Sequence, residues 1–239
     1  MCTVTYLPLK NNGFILTSNR DETPLRNTIA PKTYIENGVD ITYPKDALAG
    51  GTWIGVSTKN RLVCLLNGGF ENHQRNAHYR MSRGVVVKNI LSVENPINYI
   101  KDFDFESIEP FTIILVDWNT DLKTYELVWD GNSKHFQELH QEPKICSSST
   151  LYDSKMKSER IQWFQEWLNQ HSDFYQSEIL AFHQSTDKGT EGISLKMKRP
   201  FVETVSVKSF QKGTTESSMK YFDLKKVPSQ KLNSNTLEK

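Results

Sequence analysis

The sequence predicts an α+β protein in which antiparallel sheets carry helices on their faces. Strand-like segments come in adjacent pairs joined by short turns, as in β-hairpins, and the helical segments lie between an early and a late set of strands. This order differs from the regular strand–helix alternation of a doubly wound parallel sheet. A length of 239 residues is ordinary for one domain, which we expect to span residues 1–224.

The first half of the chain predicts two hairpins. The segments CTVTYLPL and FILTSN flank the turn KNNG, and the segments TWIGVST and RLVCLLN flank Lys59-Asn60. Both pairs are rich in the β-branched and aromatic residues that favour strands. Residues 22–50 contain prolines and no clear hydrophobic period, so we expect a long surface loop there.

The second half predicts helices followed by strands. Residues 154–171 form an amphipathic pattern with Met156, Ile161, Phe164 and Leu168 on one side. The other expected elements are a helix at 82–92 (with a strand as the alternative at 85–87), a strand pair at 111–118 and 124–131, a strand or loop at 144–150, a helix at 175–184 and a hairpin of 202–210 with 218–224 across Lys212-Gly213. The polar segment 225–239 is expected to be a flexible tail.

Composition excludes several functional classes. Lysine plus arginine number 29 and aspartate plus glutamate 28, so the basic excess of a nucleic-acid-binding protein is missing. No apolar run approaches the 18 residues of a membrane span, and the N-terminus lacks the pattern of a signal peptide. Three cysteines without a CxxC motif suggest a reducing compartment. We therefore expect a cytoplasmic protein that handles a small-molecule substrate or ligand, and its oligomeric state stays open.

Cys2 is the most informative position for chemistry. If Met1 is removed, the thiol and the α-amino group belong to the same first residue. An α-amino group with a pKa near 7.7–8.0 is partly neutral at physiological pH and can accept the proton of the thiol. Cys2 is thus a candidate nucleophile that carries its own base, although a small second residue also simply permits methionine removal.

The segment Asn19-Arg20-Asp21-Glu22 ends beside Cys2 if the first hairpin forms. A tight KNNG turn places Cys2 opposite Asp21, whereas an Asn-Gly loop places it opposite Thr23. In the first register Asn19 and Asp21 share a face with Cys2, and Arg20 points to the other face unless a bulge turns it. Asp21 would orient the α-ammonium, and Arg20 would lower the pKa of the thiol. The alternative is a charged turn with local salt bridges only.

Asn67 is the third candidate catalytic residue. It ends an apolar strand in the segment LLNGGF, where its amide and the following backbone N–H groups could stabilise an oxyanion; an ordinary turn is the alternative. We expect Asn19, Gly68 and Trp53 to contact the substrate. The arginines and histidine that follow this turn could recognise an anionic group, or form a solvated loop. The spacing of the six histidines predicts no metal site.

The motifs MCTVTYLP, SNRDE at 18–22, GGTWIGVS at 50–57, LLNGG at 65–69 and SRG at 82–84 resemble those of the NRDE family, the group that includes the transport and Golgi organisation 2 proteins. That family is similar to N-terminal-nucleophile hydrolases of the penicillin V acylase and bile salt hydrolase type. The resemblance implies a four-layer αββα sandwich of two stacked antiparallel sheets. It also implies Cys2 as nucleophile, Asp21 as orienting residue and Asn67 in the oxyanion hole.

Two departures from the acylase pattern stand beside this resemblance. Where the acylases have an asparagine in the middle of the chain, this sequence has Ser147-Ser148-Ser149, and Arg199 is the only nearby candidate for their late arginine. The leading hypothesis is a hydrolase that cleaves an amide C–N bond through a thioester acyl-enzyme at Cys2, without a cofactor or metal. The alternative is a non-catalytic protein that handles haem or a lipid-like molecule on the same scaffold.

Overall fold

Two antiparallel β-sheets stack face to face in the computed structural model, which describes residues 3–225. The strands are β1 (Thr3–Leu9), β2 (Gly13–Glu22), β3 (Thr28–Glu36), β4 (Val39–Asp46), β5 (Ile54–Ser57), β6 (Arg61–Asn67), β7 (Phe111–Asp117), β8 (Lys123–Trp129), β9 (Lys134–Leu139), β10 (Lys144–Ser147), β11 (Glu203–Lys212) and β12 (Ser217–Asp223). The helices are α1 (Arg83–Ser92), α2 (Pro96–Asp102), α3 (Ser154–Asn169) and α4 (Gln176–His183). The five-stranded sheet has the order β10-β1-β2-β11-β12, and the seven-stranded sheet runs from β3 to β9 in sequence order.

Alternating side chains of the strands build three hydrophobic layers. Val4 and Leu16 of the five-stranded sheet pack between the sheets, against Trp53 and Leu66 of the other. The neighbouring positions on the same strands point to the opposite face, because successive side chains of a strand alternate. Both faces of β1 and β2 are buried over most of their length, because each face is covered.

Helices cover the outer faces of both sheets. Phe164 of α3 and Ile179 of α4 pack against Leu7 and Ile15 on the five-stranded sheet. Helix α1, together with α2, packs on the seven-stranded sheet, where Val87 contacts the core cluster of that side. The result is an α+β sandwich with the layer order αββα, and it confirms the predicted fold class.

The register of the β1–β2 hairpin differs from both predicted registers. The turn joins the N–H of Gly13 to the carbonyl of Lys10, with positive φ at the two asparagines between them, as a type I′ turn requires. The ladder, however, begins with Leu9 opposite Gly13 and ends with Thr3 opposite Asn19. One extra residue in the turn region therefore shifts every pair by one. Because a shift of one residue exchanges the two faces of a strand, Arg20 now lies on the face predicted for Asn19 and Asp21.

Several other expectations need correction. Residues 22–50 contain the β3–β4 hairpin, whose turn has positive φ at Asn37 and Gly38. Strand β3 lies at the edge of its sheet and is largely exposed, so it lacks the hydrophobic alternation of a covered strand. Strand β9 and helix α2 were not predicted, and Ile161 is 55% exposed rather than on the packed side of α3. The hairpins β5–β6, β7–β8 and β11–β12 are as predicted. Most of the expected tail lies outside the described residues.

Candidate active site

A small polar cavity of about 100 Å³ lies where β2, β6 and the first turn of α1 meet. Its walls carry Arg20, Trp53, Asn67 and Arg83. The remaining lining residues are Glu22, Arg26, Asp46, Ala49, Gly51, Thr52, Leu65, Ser82 and Gly84. Three of the residues that the sequence singled out, from three separate segments, thus share one cavity.

Close backbone packing brings α1 to this cavity. A Cβ atom on Gly84 would lie 2.8 Å from the backbone nitrogen of Thr52, and one on Gly51 would lie 3.0 Å from the Cα of Gly84. Only glycine allows the two segments to approach this closely. Ser82 caps the helix by accepting a hydrogen bond from the N–H of Gly84. The first turn of α1 is therefore fixed at the cavity wall.

Arg20 is held rigidly at one side of the cavity. Its guanidinium stacks 4.5 Å above the ring of Trp53 and donates to the Asp46 carboxylate over 2.8 Å and to the hydroxyl of Thr28 over 3.0 Å. The side chain is almost completely buried. Burial lowers the pKa of Arg20, while Glu22 and Asp46 oppose that change. The arrangement presents a fixed positive charge whose counterion is already in place.

Asp46 organises this corner of the cavity. Its Oδ2 accepts hydrogen bonds from Arg20 and from Arg26, and its Oδ1 accepts the N–H groups of Leu48 and Ala49. Burial raises the pKa of this carboxyl, but the hydrogen bonds from Ala49 and Arg26 outweigh burial, and the net pKa is lowered. Asp46 therefore stays ionised and ties Arg20 to the loop that follows β4.

Asn67 stands at the end of β6 and presents its side chain to the cavity. Within residues 3–225, no hydrogen-bond partner satisfies its side-chain amide, so that amide is available to a ligand. The backbone of Gly68 is already engaged, because its N–H donates to the carbonyl of Pro110 over 3.0 Å. Gly68 also has a positive φ and lies against Ser149 and Thr150. The side chain of Asn67 thus lines the cavity, whereas the N–H of Gly68 is already bonded to Pro110.

Arg83 forms the opposite wall of the cavity. It donates to the carbonyl of Pro110 and forms an ion pair with Glu109 at 3.1 Å. Glu109 also lies 3.4 Å from His73. Burial lowers the pKa of Arg83, and Glu109 opposes that change. Of the charged residues after the Asn-Gly-Gly turn, Arg83 lines the cavity, whereas Arg75 and Arg80 are largely exposed.

Asp21 lies on the helix side of β2, away from the cavity lining. Its Oδ1 accepts from the hydroxyl of Thr204 over 2.6 Å, and its Oδ2 accepts from the phenol of Tyr152 over 2.8 Å. The ring of Tyr152 is covered by the guanidinium of Arg160 at 3.6 Å and that of Arg199 at 5.3 Å. Arg199, the candidate late arginine, thus lies against the ring of Tyr152, whose phenol bonds to Asp21.

Asn19 is also on the helix side and is completely buried. Its Nδ2 donates to the carbonyls of His183 and Leu195, and its Oδ1 lies 2.7 Å from Nδ1 of His183. All of these bonds join β2 to α4 and to the segment before β11. Both polar atoms of the Asn19 side chain are therefore engaged in bonds that join these elements, and Asn19 is not among the residues that line the cavity.

The serines that replace the mid-chain asparagine of the acylases connect β1 to Asn67. Ser147 pairs with Thr3, and the next residue, Ser148, donates its hydroxyl to the carbonyl of Asn67 over 2.8 Å. Ser149 donates to the carbonyl of Gly69 over 2.5 Å. These hydroxyls hold the Asn-Gly-Gly turn against the start of β1, and so they stabilise the cavity wall.

The predicted site residues therefore fall into three groups. Arg20, Trp53 and Asn67 line the cavity, while Asn19, Asp21 and Gly68 support the strands around it. Cys2 lies outside the described residues. Reasoning from the sequence missed Glu22, Arg26 and Asp46 as lining residues; the Asn-Gly signal in residues 22–50 could have revealed the β3–β4 hairpin that positions Asp46.

Two further findings concern residues 3–225. This part of the chain contains no group of three or more histidine, cysteine, aspartate or glutamate side chains arranged to hold a metal ion. No helix in it combines the length and the apolar character needed to cross a bilayer.

Comparisons with known proteins agree with this architecture. A family model described as Transport and Golgi organisation 2 matches residues 1–219, and no curated protein sequence matches significantly. Among solved structures, the N-acylethanolamine-hydrolyzing acid amidase ortholog of Caenorhabditis elegans aligns with a TM-score of 0.61 at 13% identity, covering 87% of this chain and 92% of that one. A variant of the conjugated bile acid hydrolase from Clostridium perfringens aligns at 0.52 and 10% identity, covering 93% of this chain and 92% of that one.

Penicillin V acylase from Agrobacterium tumefaciens is a third structure of the same kind. It aligns with a TM-score of 0.51 at 10% identity, and the alignment covers 95% of this chain and 87% of that one. These neighbours are an amidase, a hydrolase and an acylase by name. At such low identities the likeness shows a shared fold, and function must be argued from the site.

Proposed function

The chain belongs to the Transport and Golgi organisation 2 family, and on that basis we propose that it is an N-terminal-cysteine hydrolase that cleaves an amide C–N bond of a small substrate. Three of the solved structures that share its fold are an acid amidase, a conjugated bile acid hydrolase and a penicillin acylase. The observation that carries the proposal is the cavity lined by Arg20, Trp53 and Asn67, next to the start of β1.

The position of β1 relative to the cavity supports Cys2 as the nucleophile. Thr3, the first residue that the structure describes, follows Cys2 directly in the sequence. Thr3 pairs with Asn19 on one side and with Ser147 on the other. The next residues on those strands are Arg20, which lines the cavity, and Ser148, which is bonded to Asn67.

In the proposed reaction the thiolate of Cys2 attacks the carbonyl carbon of the amide. The side-chain amide of Asn67 donates a hydrogen bond to the oxygen on which negative charge develops. The α-amino group, exposed once Met1 is removed, takes the thiol proton and delivers it to the leaving amine. Water then hydrolyses the thioester and releases the acid.

Asp21 is suited to an orienting role. Its two oxygens are fixed by Thr204 and Tyr152, so the carboxylate can hold a cationic amine with little loss of entropy on binding. Arg20 provides a positive charge on the opposite face of β2, which favours a thiolate. We propose both roles on the basis of this placement.

The dimensions of the cavity limit the substrate. About 100 Å³ is below the roughly 300–1,000 Å³ of pockets that enclose drug-sized ligands. The lining contains three guanidinium and two carboxylate side chains, so the walls are polar; these are Arg20, Arg26, Arg83, Glu22 and Asp46. The cavity therefore fits the scissile amide and its nearest polar groups, and the rest of the substrate would lie outside. A haem, which is large and mostly apolar, does not match this cavity.

A labelling experiment tests the proposal. We expect the intact mass to show loss of Met1, and a thiol-reactive acyl probe to label the wild type at Cys2 much faster than any other position. The matched control is Cys64→Ala. Because the Cys64 thiol is completely buried, we expect its removal to leave the labelling rate of Cys2 unchanged. Retained Met1, or equal labelling of the wild type and Cys2→Ala, would overturn the proposal. In that case the protein would be titrated with haemin, and a saturable change in absorbance would favour the alternative of a non-catalytic protein that handles haem.

A further inference from the structure

A second cavity lies between helices α3 and α4, on the outer side of the five-stranded sheet. Its volume of about 350 Å³ falls within the roughly 300–1,000 Å³ of pockets that hold small molecules. Its walls come from α3, from α4 and from residues 185–188, and none of its lining residues belongs to the cavity of Arg20 and Asn67. The fold therefore contains a concave site that is separate from the candidate active site.

Aromatic side chains form the apolar part of this cavity. Trp163 and Trp167 lie one turn apart on the same face of α3, and Phe182 of α4 packs against Trp167 with ring centroids 5.8 Å apart. The ring of His171 stacks on that of Trp167 at 4.1 Å, and its Nδ1 donates to the carbonyl of the same residue over 2.7 Å. These rings are fixed before any ligand binds, which limits the entropy that binding costs.

The segment after α4 holds Trp163 in place. A Cβ atom on Gly189 would lie 2.6 Å from Cη2 of Trp163, and Gly189 has a φ of +69°, a conformation that favours glycine. The backbone therefore lies directly against the indole. Because Trp163 is only partly covered, it still presents aromatic surface to the cavity.

The charged side chains of this cavity do not balance. Glu166, Glu178 and Asp187 bring three carboxylates, whereas Lys188 brings the only ammonium among the lining residues. Lys188 is already paired with Glu166 at 2.7 Å. Oε2 of Glu178 is buried and has no hydrogen-bond partner within residues 3–225, and none of the ion pairs in that part of the chain includes Glu178. The cavity thus contains a carboxylate that lacks both a counterion and a donor.

Aromatic walls beside an unpaired carboxylate select for an organic cation. A buried carboxylate oxygen destabilises the folded protein until it accepts a hydrogen bond, and a protonated amine supplies both the N–H donor and the opposite charge. Tryptophan rings attract cations as well, so Trp163 and Glu178 favour the same ligand. An anion would be repelled by the carboxylates, and a neutral apolar molecule would leave Oε2 of Glu178 without a partner.

We propose that the cavity between α3 and α4 binds a small organic cation, namely a protonated amine carried on an apolar body. The ammonium group lies at Glu178, and the apolar body lies against Trp163 and Trp167. This site is independent of the proposed hydrolase, because the two cavities share no lining residue and the cation takes part in no reaction.

The test is a titration of the full-length protein with phenethylammonium, and with 2-phenylethanol as a neutral ligand of the same size. Binding is followed by ¹H–¹⁵N NMR at the indole N–H signal of Trp163, which is assigned with Trp163→Phe. We expect phenethylammonium to shift this signal saturably. We expect 2-phenylethanol to bind about tenfold more weakly, because a hydrogen bond to a charged group contributes at least about that factor.

A charge-removing variant tests the role of the carboxylate. Glu178→Gln keeps the shape of the side chain, so we expect it to weaken phenethylammonium binding about tenfold and to leave the weaker binding of 2-phenylethanol unchanged. Glu142→Gln is the matched control, since Glu142 is exposed and lies outside the cavity lining, and it should change neither affinity. Equal affinities of the wild type for the amine and the alcohol would overturn the proposal. An unchanged amine affinity in Glu178→Gln, or an indole signal of Trp163 that does not move, would overturn it as well.

Discussion

The buried imidazole of His183 makes the stability of the fold depend on pH. Asn19 fixes the tautomer: its Nδ2 donates to two carbonyls, so its Oδ1 must accept the proton on Nδ1 of His183. Nε2 then accepts from the hydroxyl of Thr5 over 2.8 Å. The neutral ring is fully satisfied, and burial, followed by the nearby charge of Arg160, lowers the pKa of His183 from 6.5 to about 3.

The magnitude follows from the difference between the folded and unfolded states. Between pH 6.5 and about 3 the unfolded chain binds a proton at His183 that the folded protein does not bind, so the free energy of unfolding falls as the pH falls through that window. Since one pKa unit corresponds to about 1.4 kcal/mol, acidification from pH 7 to pH 4.5 costs about 2–3 kcal/mol through this residue.

Urea unfolding at pH 7.0 and pH 4.5 measures this contribution. We expect the wild type to lose about 2–3 kcal/mol more between the two pH values than His183→Gln, which cannot titrate. His78→Gln is the control, because His78 is exposed, and it should behave like the wild type. If the wild type and His183→Gln lose equal stability on acidification, the reasoning about the buried neutral imidazole is refuted.

Three further predictions concern the cavity. Asp46→Ala removes the shorter of the two ion pairs of the buried Arg20 and leaves only Glu22 at 3.8 Å, so it should lower the free energy of unfolding by about 3 kcal/mol. Glu138→Ala, in an exposed pair, should cost about 0.5 kcal/mol or less, and equal losses in urea unfolding would contradict this. Gly84→Ala forces a Cβ to 2.8 Å from backbone and should cost about 1–3 kcal/mol in the same assay, so an unchanged midpoint would disprove the close packing. Asn67→Ala should slow acylation of Cys2 about 10²–10³-fold with little loss of stability; an unchanged acylation rate would remove it from the oxyanion site.

Most of the layer structure follows from patterns that are local in sequence. The segments RLVCLLN and FTIILVD are continuous apolar runs, which is what strands covered on both faces require. The β3 strand is harder to predict, because one exposed face and an edge position remove the hydrophobic alternation. Its turn, Asn37-Gly38, carries the strongest signal in that region.

The site was predictable in its residue types but less so in its geometry. The hairpin turn at Lys10–Gly13 was foreseen, yet the ladder starts one residue earlier, with Leu9 opposite Gly13. Such a shift depends on the detailed φ values of Asn11 and Asn12, which the sequence does not specify. As a result Arg20 faces the cavity, and Asp21 faces the helices.

Long-range contacts account for what the sequence could not indicate. Asp46 reaches Arg20 across 26 residues, and Lys208 reaches Ile54 across 154. Neither pair has a local motif, because the strands that carry them become neighbours only when the two sheets stack. Charged residues in a soluble protein are usually solvated, so only the fold distinguishes a buried arginine or lysine from an ordinary one.

The most direct test of the account is amide turnover by the purified protein. Release of the fluorescent amine from a series of N-acyl aminocoumarins of increasing acyl length would be measured for the wild type, Cys2→Ala and Cys64→Ala. The account predicts hydrolysis by the wild type and by Cys64→Ala, and loss of activity to the background rate in Cys2→Ala. Hydrolysis by Cys2→Ala at the wild-type rate would contradict the central claim that the thiol of Cys2 is the nucleophile.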